Sequence, residues 1–178
     1  MKKSKARTRA ALASTKLRTV TGVLSARSVK MAMAHEHMFT DFCPPDQDAY
    51  MDVNWSNKIG AAVESAAVLH ALGVNLVVEW TNIGIGRNVL ALRSVSRQSN
   101  VHFVCPTGIY KDLKSPVLAN VSIAQMADHF VSELATGIDG TGIRAGFVKT
   151  SCNESGATRK EVEYCAPPQL PRNKPAPR

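Results

Sequence analysis

Two patterns of apolar and polar positions alternate along the chain. Short apolar runs rich in β-branched residues predict strands at residues 31–38, 74–80, 101–105 and 143–150, after a shorter β-rich run at 19–24. Segments with apolar residues at helical spacing predict helices at residues 58–72, 88–99 and 122–136. Strands that alternate with helices in this way predict an α/β fold, in which right-handed crossovers join the strands of a parallel sheet.

Local signals place the ends of these helices. Gly73 ends the first helix, and Ser122 with Gln125 forms a capping box at the start of the third. Thr158 and Glu161 form a second capping box, which starts a fourth, short helix. The core-facing stripes of the first and third helices are predicted to be Ile59, Ala62, Val63, Ala66 and Leu69, and Ile123, Met126, Phe130, Val131 and Leu134.

The charge distribution divides the chain into three parts. The 178 residues carry a formal net charge of +8, but nine Lys and Arg lie in residues 1–30, where no acidic residue occurs, and three more follow Pro167. The middle part holds ten basic residues and all 14 acidic ones, so it is mildly acidic. We therefore predict a basic disordered extension at residues 1–18, one folded domain at 19–164 and a disordered Pro/Arg-rich tail at 165–178.

The N-terminal composition and the cysteines bear on cellular location. Residues 1–20 are basic, contain Ser and Thr and lack acidic residues, which is typical of an organelle transit peptide and equally of a disordered basic arm. The four cysteines form no C-x-x-C pair and no apolar signal-peptide core precedes them, so we expect free thiols in a reducing compartment. A cytoplasmic location is predicted, with organelle targeting as the alternative. No apolar run approaches the length of about 18 residues that a membrane-spanning helix needs, so none is predicted.

The candidate chemistry begins with a His-x-His at the end of the predicted strand 31–38. Alternate side chains of a strand share a face, so His35 and His37 point the same way and can chelate one divalent ion. In a chain with five histidines the same spacing also arises by chance. Two other strand ends carry ionisable groups. Glu79 either takes part in catalysis or accepts hydrogen bonds from neighbouring loops, and Lys149 either reaches to water or is drawn into a site.

Five motifs in register resemble the phosphotriesterase family, which belongs to the amidohydrolase superfamily of metal-dependent hydrolases. They are TVTGVL at 19–24, AHEHMFTDF at 34–42, GVNLVVEWTNIGIGR at 73–87, CPTGIY at 105–110 and GTGIRAGFVKTSCNESGATRKEVE at 140–163. The resemblance implies a TIM (β/α)8 barrel, of which residues 19–164 would form about the first four βα units.

By this resemblance, His35 and His37 would bind the more buried of two divalent metals, commonly zinc. Lys149 would be a carboxylated lysine that bridges both metals, and Tyr110 would line the substrate pocket, as is typical of the lactonase branch. In the family, a hydroxide shared by the metals attacks the phosphorus of a phosphotriester or the carbonyl of a lactone. The chain is thus predicted to be a zinc-dependent hydrolase of small ester, lactone or phosphotriester substrates.

The sequence departs from the family pattern after Lys149. A barrel of this kind usually has about 250 residues and eight strands, whereas four are predicted here. No His or Asp follows Lys149 to complete the metal site. The change to a proline-rich tail near Tyr164 predicts a truncated product, marginally stable and prone to self-association because its first and fourth strands are unpaired edges. Activity would then require a homodimer or a complementing half.

Two other functions compete with the hydrolase. A non-catalytic remnant of the family would keep the fold and lose the activity. A binder of nucleic acid or acidic surfaces would use the basic N-terminal arm, but that arm contains no interleaved aromatic residues. Nucleic acid is therefore disfavoured as a partner.

Overall fold

A computed structural model describes residues 15–43, 47, 51–111, 121–159 and 161–162. The strands and α-helices alternate along the chain in the predicted order. They are β1 (Lys16–Thr19), β2 (Gly22–Ser25), β3 (Ala32–Glu36), α1 (Trp55–Ala71), β4 (Leu76–Glu79), α2 (Val89–Ser99), β5 (His102–Val104), β6 (Pro106–Thr107), α3 (Ile123–Ala135) and β7 (Phe147–Val148). The predicted α/β class is confirmed.

The strands that follow the N-terminal hairpin are all parallel. β3, β4 and β5 form one sheet in this order, and β6, which follows β5 after the single residue Cys105, pairs with β7. Within the described residues, β3 and β7 each pair with one strand, so the sheet does not close into a barrel. Because the strands are parallel, their carboxyl ends lie on one side of the sheet, where ligands usually bind in such folds.

The β-rich run at residues 19–24 is two strands rather than one. β1 and β2 pair in an antiparallel hairpin in which Thr19 lies opposite Gly22, and the Thr19 hydroxyl donates to the Gly22 carbonyl at 2.9 Å. The hairpin begins at Lys16, so the last residues of the predicted 1–18 extension belong to a strand. Residues 1–14 and the predicted tail at 165–178 lie outside the described residues.

Helix α1 buries the stripe that its sequence predicts. Ala62 and Ala66 are buried, and Ile59, Val63 and Leu69 pack against the same core. The helix ends where predicted, since Gly73 follows it with a φ of +94°. Such a left-handed conformation is readily adopted only by glycine.

Helix α3 buries only part of the predicted stripe. Met126 and Phe130 are buried and Leu134 packs against the core, but Ile123 is 42% and Val131 is 61% exposed. Val131 lies about 140° around the helix from Met126, which turns it away from the core. The buried face is completed by Glu133, which is 2% exposed. The predicted Ser122–Gln125 capping box is confirmed.

A buried ion pair explains why a carboxylate faces the core. Arg87, in the loop after β4, forms a bidentate contact with Glu133 of α3, with N–O distances of 2.6 and 2.7 Å. The Arg87 Nη1 also donates to the Pro106 carbonyl at 3.3 Å. The pair therefore ties α3 to the loop after β4 and to β6.

The cysteines and the helices can be compared with the predictions of free thiols and of no membrane-spanning helix. Cys43, Cys105 and Cys152 are free thiols, as expected, and Cys165 lies outside the described residues. None of the described helices has both the length and the apolar character that crossing a membrane requires.

Candidate metal centre

The carboxyl ends of three parallel strands bring the predicted site residues together. His35 and His37 lie at the end of β3, Glu79 ends β4, and Lys149 directly follows β7. The Lys149 charge is near enough to His37 to lower the pKa of that histidine, and the Glu79 charge acts on the pKa of Lys149. The parallel order of the strands thus places side chains that are more than 100 residues apart in one site.

The two histidines converge, as their spacing predicts. Their Nε2 atoms lie 3.4 Å apart, and their ring centroids lie 5.3 Å apart. Two nitrogens bound to one tetrahedral zinc ion at about 2.0–2.1 Å would lie about 3.3–3.4 Å from each other. The separation of the two nitrogens therefore matches that of two adjacent ligands of one zinc ion.

The Thr81 side chain orients the His37 ring. The Nδ1 atom of His37 lies 2.9 Å from the Thr81 hydroxyl oxygen, which leaves the Nε2 atom directed toward His35. A hydrogen bond to the second ring nitrogen is how proteins usually hold a metal-binding histidine in one tautomer. Partial burial lowers the pKa of His37, and the charges of Lys149 and His35 lower it further, so the neutral, metal-binding form is favoured.

Glu79 is fully buried and connects the loops that follow β3 and β4. Its carboxylate accepts hydrogen bonds from the Met38 amide at 2.8 Å and from the Thr81 amide at 3.0 Å. Burial raises the pKa of Glu79, while hydrogen bonds from Thr81 and Met38 act in the opposite direction. Of the two roles left open for Glu79, acceptance of hydrogen bonds from neighbouring loops is the one observed.

Lys149 faces the interior rather than water. It is 6% exposed, and its Nζ lies 4.8 Å from the centroid of the Tyr110 ring. Its backbone is held on both sides, because its amide donates to the Thr107 carbonyl at 2.9 Å and its carbonyl accepts from the Asn82 side chain at 3.1 Å. Burial lowers the pKa of Lys149, which the nearby Glu79 carboxylate partly offsets.

Sequence reasoning missed three residues that follow Glu79. Trp80 stacks on His35, Thr81 contacts His37, and the fully buried Asn82 holds the backbone of Lys149. The sequence did contain a signal for these residues, because an indole and two polar side chains directly follow the buried strand β4, at the end of the strand where ligands usually bind. Their partners lie on β3 and after β7, however, so the contacts depend on the tertiary arrangement.

The described residues bring together fewer candidate metal ligands than a complete site needs. Among them, no group of three or more His, Cys, Asp or Glu is placed to hold a metal ion. The donors that the fold brings together are the two imidazoles and the Lys149 amine. Protein zinc sites usually use three or four protein ligands.

The comparisons with known proteins agree on one family. A sequence model of the phosphotriesterase family matches residues 15–166. An aryldialkylphosphatase from Saccharolobus solfataricus is 30% identical over 79% of this chain and 45% of its own length. An N-acetyltaurine hydrolase from Mus musculus is 28% identical over 75% of this chain and 46% of its own.

Comparison of the fold with solved structures points to the same family. The solved structure of a variant PTE-like lactonase from Deinococcus radiodurans matches with a TM-score of 0.73 and 26% identity, over 83% of this chain and 48% of that one. The chain spans about half the length of the curated relatives it matches. With a family match over most of its length and the same fold, this chain belongs to the phosphotriesterase family.

Proposed function

We propose that this chain forms the first half of the metal centre of a hydrolase, with His35, His37 and Lys149 as metal ligands. The observation that carries the proposal is the separation of 3.4 Å between the two Nε2 atoms, which matches two ligands of one zinc ion. Members of the family are hydrolases, which supports the same reaction class for this chain. Bound zinc would supply Lewis-acid polarisation and activation of water.

The residues of the chain would prepare this chemistry. Thr81 holds His37 with its Nε2 directed toward His35, so the pair needs little reordering to bind a cation. Burial lowers the pKa of Lys149, which favours the neutral amine. A neutral amine can add CO2, forming an N–C bond and releasing one proton, and the resulting carbamate offers two anionic oxygens to two cations. Tyr110, against the Lys149 amine, would form one wall of the pocket.

The remaining ligands would come from a second set of strands. We propose that β3 to β7 correspond to about the first four βα units of a (β/α)8 barrel, since the chain covers 48% of the matched lactonase structure. A second copy of this chain or a complementing half would pair with the free edges of β3 and β7. An open groove of about 730 Å³ beside β3 and α1, lined partly by Met33, Val68 and Leu69, would receive it.

The proposed substrates are small esters, lactones or phosphotriesters. The names of the matched relatives include an aryldialkylphosphatase, a lactonase and an N-acetyltaurine hydrolase, so phosphorus esters, carboxylic esters and amides are all hydrolysed within this group. Among these substrates, a Tyr110 side chain that lines the pocket favours lactones. A cytoplasmic location and the disorder of residues 1–14 and 165–178 stay predictions.

One observation favours a second candidate, a non-catalytic member of the family. The described residues place no group of three His, Cys, Asp or Glu around a common point. A pair of imidazoles alone binds zinc weakly, so such a chain would keep the fold without turnover.

Zinc content and hydrolysis test both candidates. We expect the purified full chain, supplied with zinc and bicarbonate, to bind zinc, and to hydrolyse an aryl phosphotriester or a lactone when a second copy or a complementing half supplies the remaining ligands. His35→Ala or His37→Ala should abolish zinc binding, while His70→Ala, at an exposed position of α1, should not change it. Thr81→Val should weaken zinc binding about tenfold or more. Zinc binding without turnover would identify the non-catalytic member, and a chain that binds no zinc would disprove the proposed centre.

A further inference from the structure

The indole of Trp80 lies flat against the His35 ring. The ring centroids are 4.4 Å apart and the planes differ by 6°. Trp80 also bonds the backbone on both sides of His35, because its Nε1 donates to the Ala34 carbonyl and its amide donates to the Glu36 carbonyl, each at 2.8 Å. The indole is thereby fixed to the same stretch of β3 that carries the imidazole.

The ring of Trp80 also contacts the strand that leads to Lys149. The centroids of Trp80 and Phe147 lie 5.1 Å apart, with the rings tilted by 56°. Phe147 opens β7 and lies two residues before Lys149, and residues two apart in an extended segment share a face. Trp80 therefore spans the space between the histidine pair and the strand of the lysine.

The two imidazoles depend on different supports. His37 has the Thr81 hydroxyl at its Nδ1, whereas the contacts of His35 are the stacked indole and the Nε2 of His37. His35 is otherwise exposed, and an exposed side chain with two rotatable bonds occupies several rotamers unless a neighbour selects one. The stacked indole is the neighbour that makes this selection.

We infer that Trp80 is a positioning residue that orients the imidazole of His35, and through it the metal pair on which the proposed function rests. An aromatic pair contributes enough free energy to change an equilibrium about threefold to tenfold. With the indole present, His35 is held with its Nε2 toward His37 before any cation arrives. Without it, binding must also order the ring.

The chain offers matched variants for the test. Trp80→Leu keeps apolar volume but removes the stack and the indole donor, and Trp80→Phe keeps a ring that can stack. Trp55→Phe is the control, since Trp55 is the other of the two tryptophans and packs edge-on against Phe39, with centroids 5.5 Å apart. Circular dichroism establishes that each variant is folded.

The deciding measurement is the rotamer population of the His35 side chain in the zinc-free chain, obtained from NMR three-bond couplings about χ1, because this readout does not depend on the ring current of the indole. The wild-type chain and Trp55→Phe should show one dominant rotamer, Trp80→Leu should show averaging over several rotamers, and Trp80→Phe should lie between them. One dominant His35 rotamer in Trp80→Leu would overturn the inference, whether or not the chain binds zinc.

Calorimetric titration with zinc then links orientation to binding. We expect Trp80→Leu to raise the Kd for zinc about threefold to tenfold. The Kd of Trp80→Phe should lie between those of the wild type and Trp80→Leu, and that of Trp55→Phe should equal the wild-type value. An unchanged Kd in Trp80→Leu would refute a role in the metal pair. If the wild-type chain binds no zinc, the proposed function fails, and the His35 rotamer population alone still decides whether Trp80 orients the ring.

Discussion

Substitution of Glu133 by Gln would test how strongly the buried ion pair holds the site together. The Arg87 and Glu133 side chains are 4% and 3% exposed, and their closest N–O distance is 2.6 Å. The glutamine side chain would have nearly the same shape but no charge. The Arg87 guanidinium would stay buried, and besides the glutamine oxygen its partners would be the Pro106 carbonyl at 3.3 Å and the exposed Asp139 carboxylate at 3.5 Å.

The expected loss of stability is large. Removing one partner of a buried ion pair typically costs about 3–5 kcal/mol, because the other charge is left uncompensated. The glutamine side-chain oxygen can still accept one hydrogen bond, so we expect Glu133→Gln to lose about 3 kcal/mol in the free energy of unfolding. Domains are typically stable by about 5–15 kcal/mol, so this is a substantial fraction. Asp139→Asn is the control; its carboxylate is 66% exposed, and its loss should cost less than about 1 kcal/mol.

The same substitution changes the response to acid. Burial acts to raise the pKa of Glu133, but the hydrogen bonds and charge of Arg87 outweigh it and hold this pKa below its usual value. A carboxyl group whose pKa is lower in the folded than in the unfolded chain stabilises the fold fully at pH values above its unfolded-state pKa of about 4.3. This stabilisation is lost as the pH falls through the pKa of the folded state. The stabilities of the wild-type chain and Glu133→Gln should therefore converge below about pH 4.

Urea unfolding followed by far-UV circular dichroism, at pH values from about 7 to about 3, measures both effects. A Glu133→Gln chain within about 1 kcal/mol of the wild type at neutral pH would refute the importance of the pair. A difference that stays constant across the acidic range would refute the role assigned to the Glu133 charge.

Three further predictions follow from packing and exposure. Gly108→Ala should lower the urea midpoint of unfolding, because the alanine Cβ would overlap the Lys149 carbonyl oxygen. By contrast, the Cβ of Gly60→Ala in α1 would meet nothing within 4 Å, so this substitution should stabilise the chain by up to about 1 kcal/mol. Val68→Glu in the groove should reduce self-association in sedimentation experiments, and the equally exposed Val131→Glu should not; equal effects would contradict docking at the groove. Burial raises the pKa of the Cys105 thiol to about 12, so alkylation at about pH 8, mapped by mass spectrometry, should modify it only after unfolding.

The order of the elements and the histidine pair could be read from the sequence because both depend on local periodicity. Strand β4 is a continuous apolar run, and α1 repeats apolar residues at helical spacing, so each carries its own signal. His35 and His37 face the same way because alternate residues of any strand do. The position of Glu79 at the end of a buried strand likewise indicated an acceptor for neighbouring loops, which the structure confirms.

Only the tertiary structure decided which side chains support the site. Lys149 could have reached to water, but its side chain is buried against the ring of Tyr110, and Asn82 and Thr107, which are far from it in sequence, hold its backbone. Periodicity placed Val131 in the core, whereas Glu133 is buried there because Arg87, 46 residues away, neutralises its charge. The Trp80 stack on His35 likewise requires β3 and β4 to pair. Contacts between distant segments leave no local pattern, so the sequence alone could not determine them.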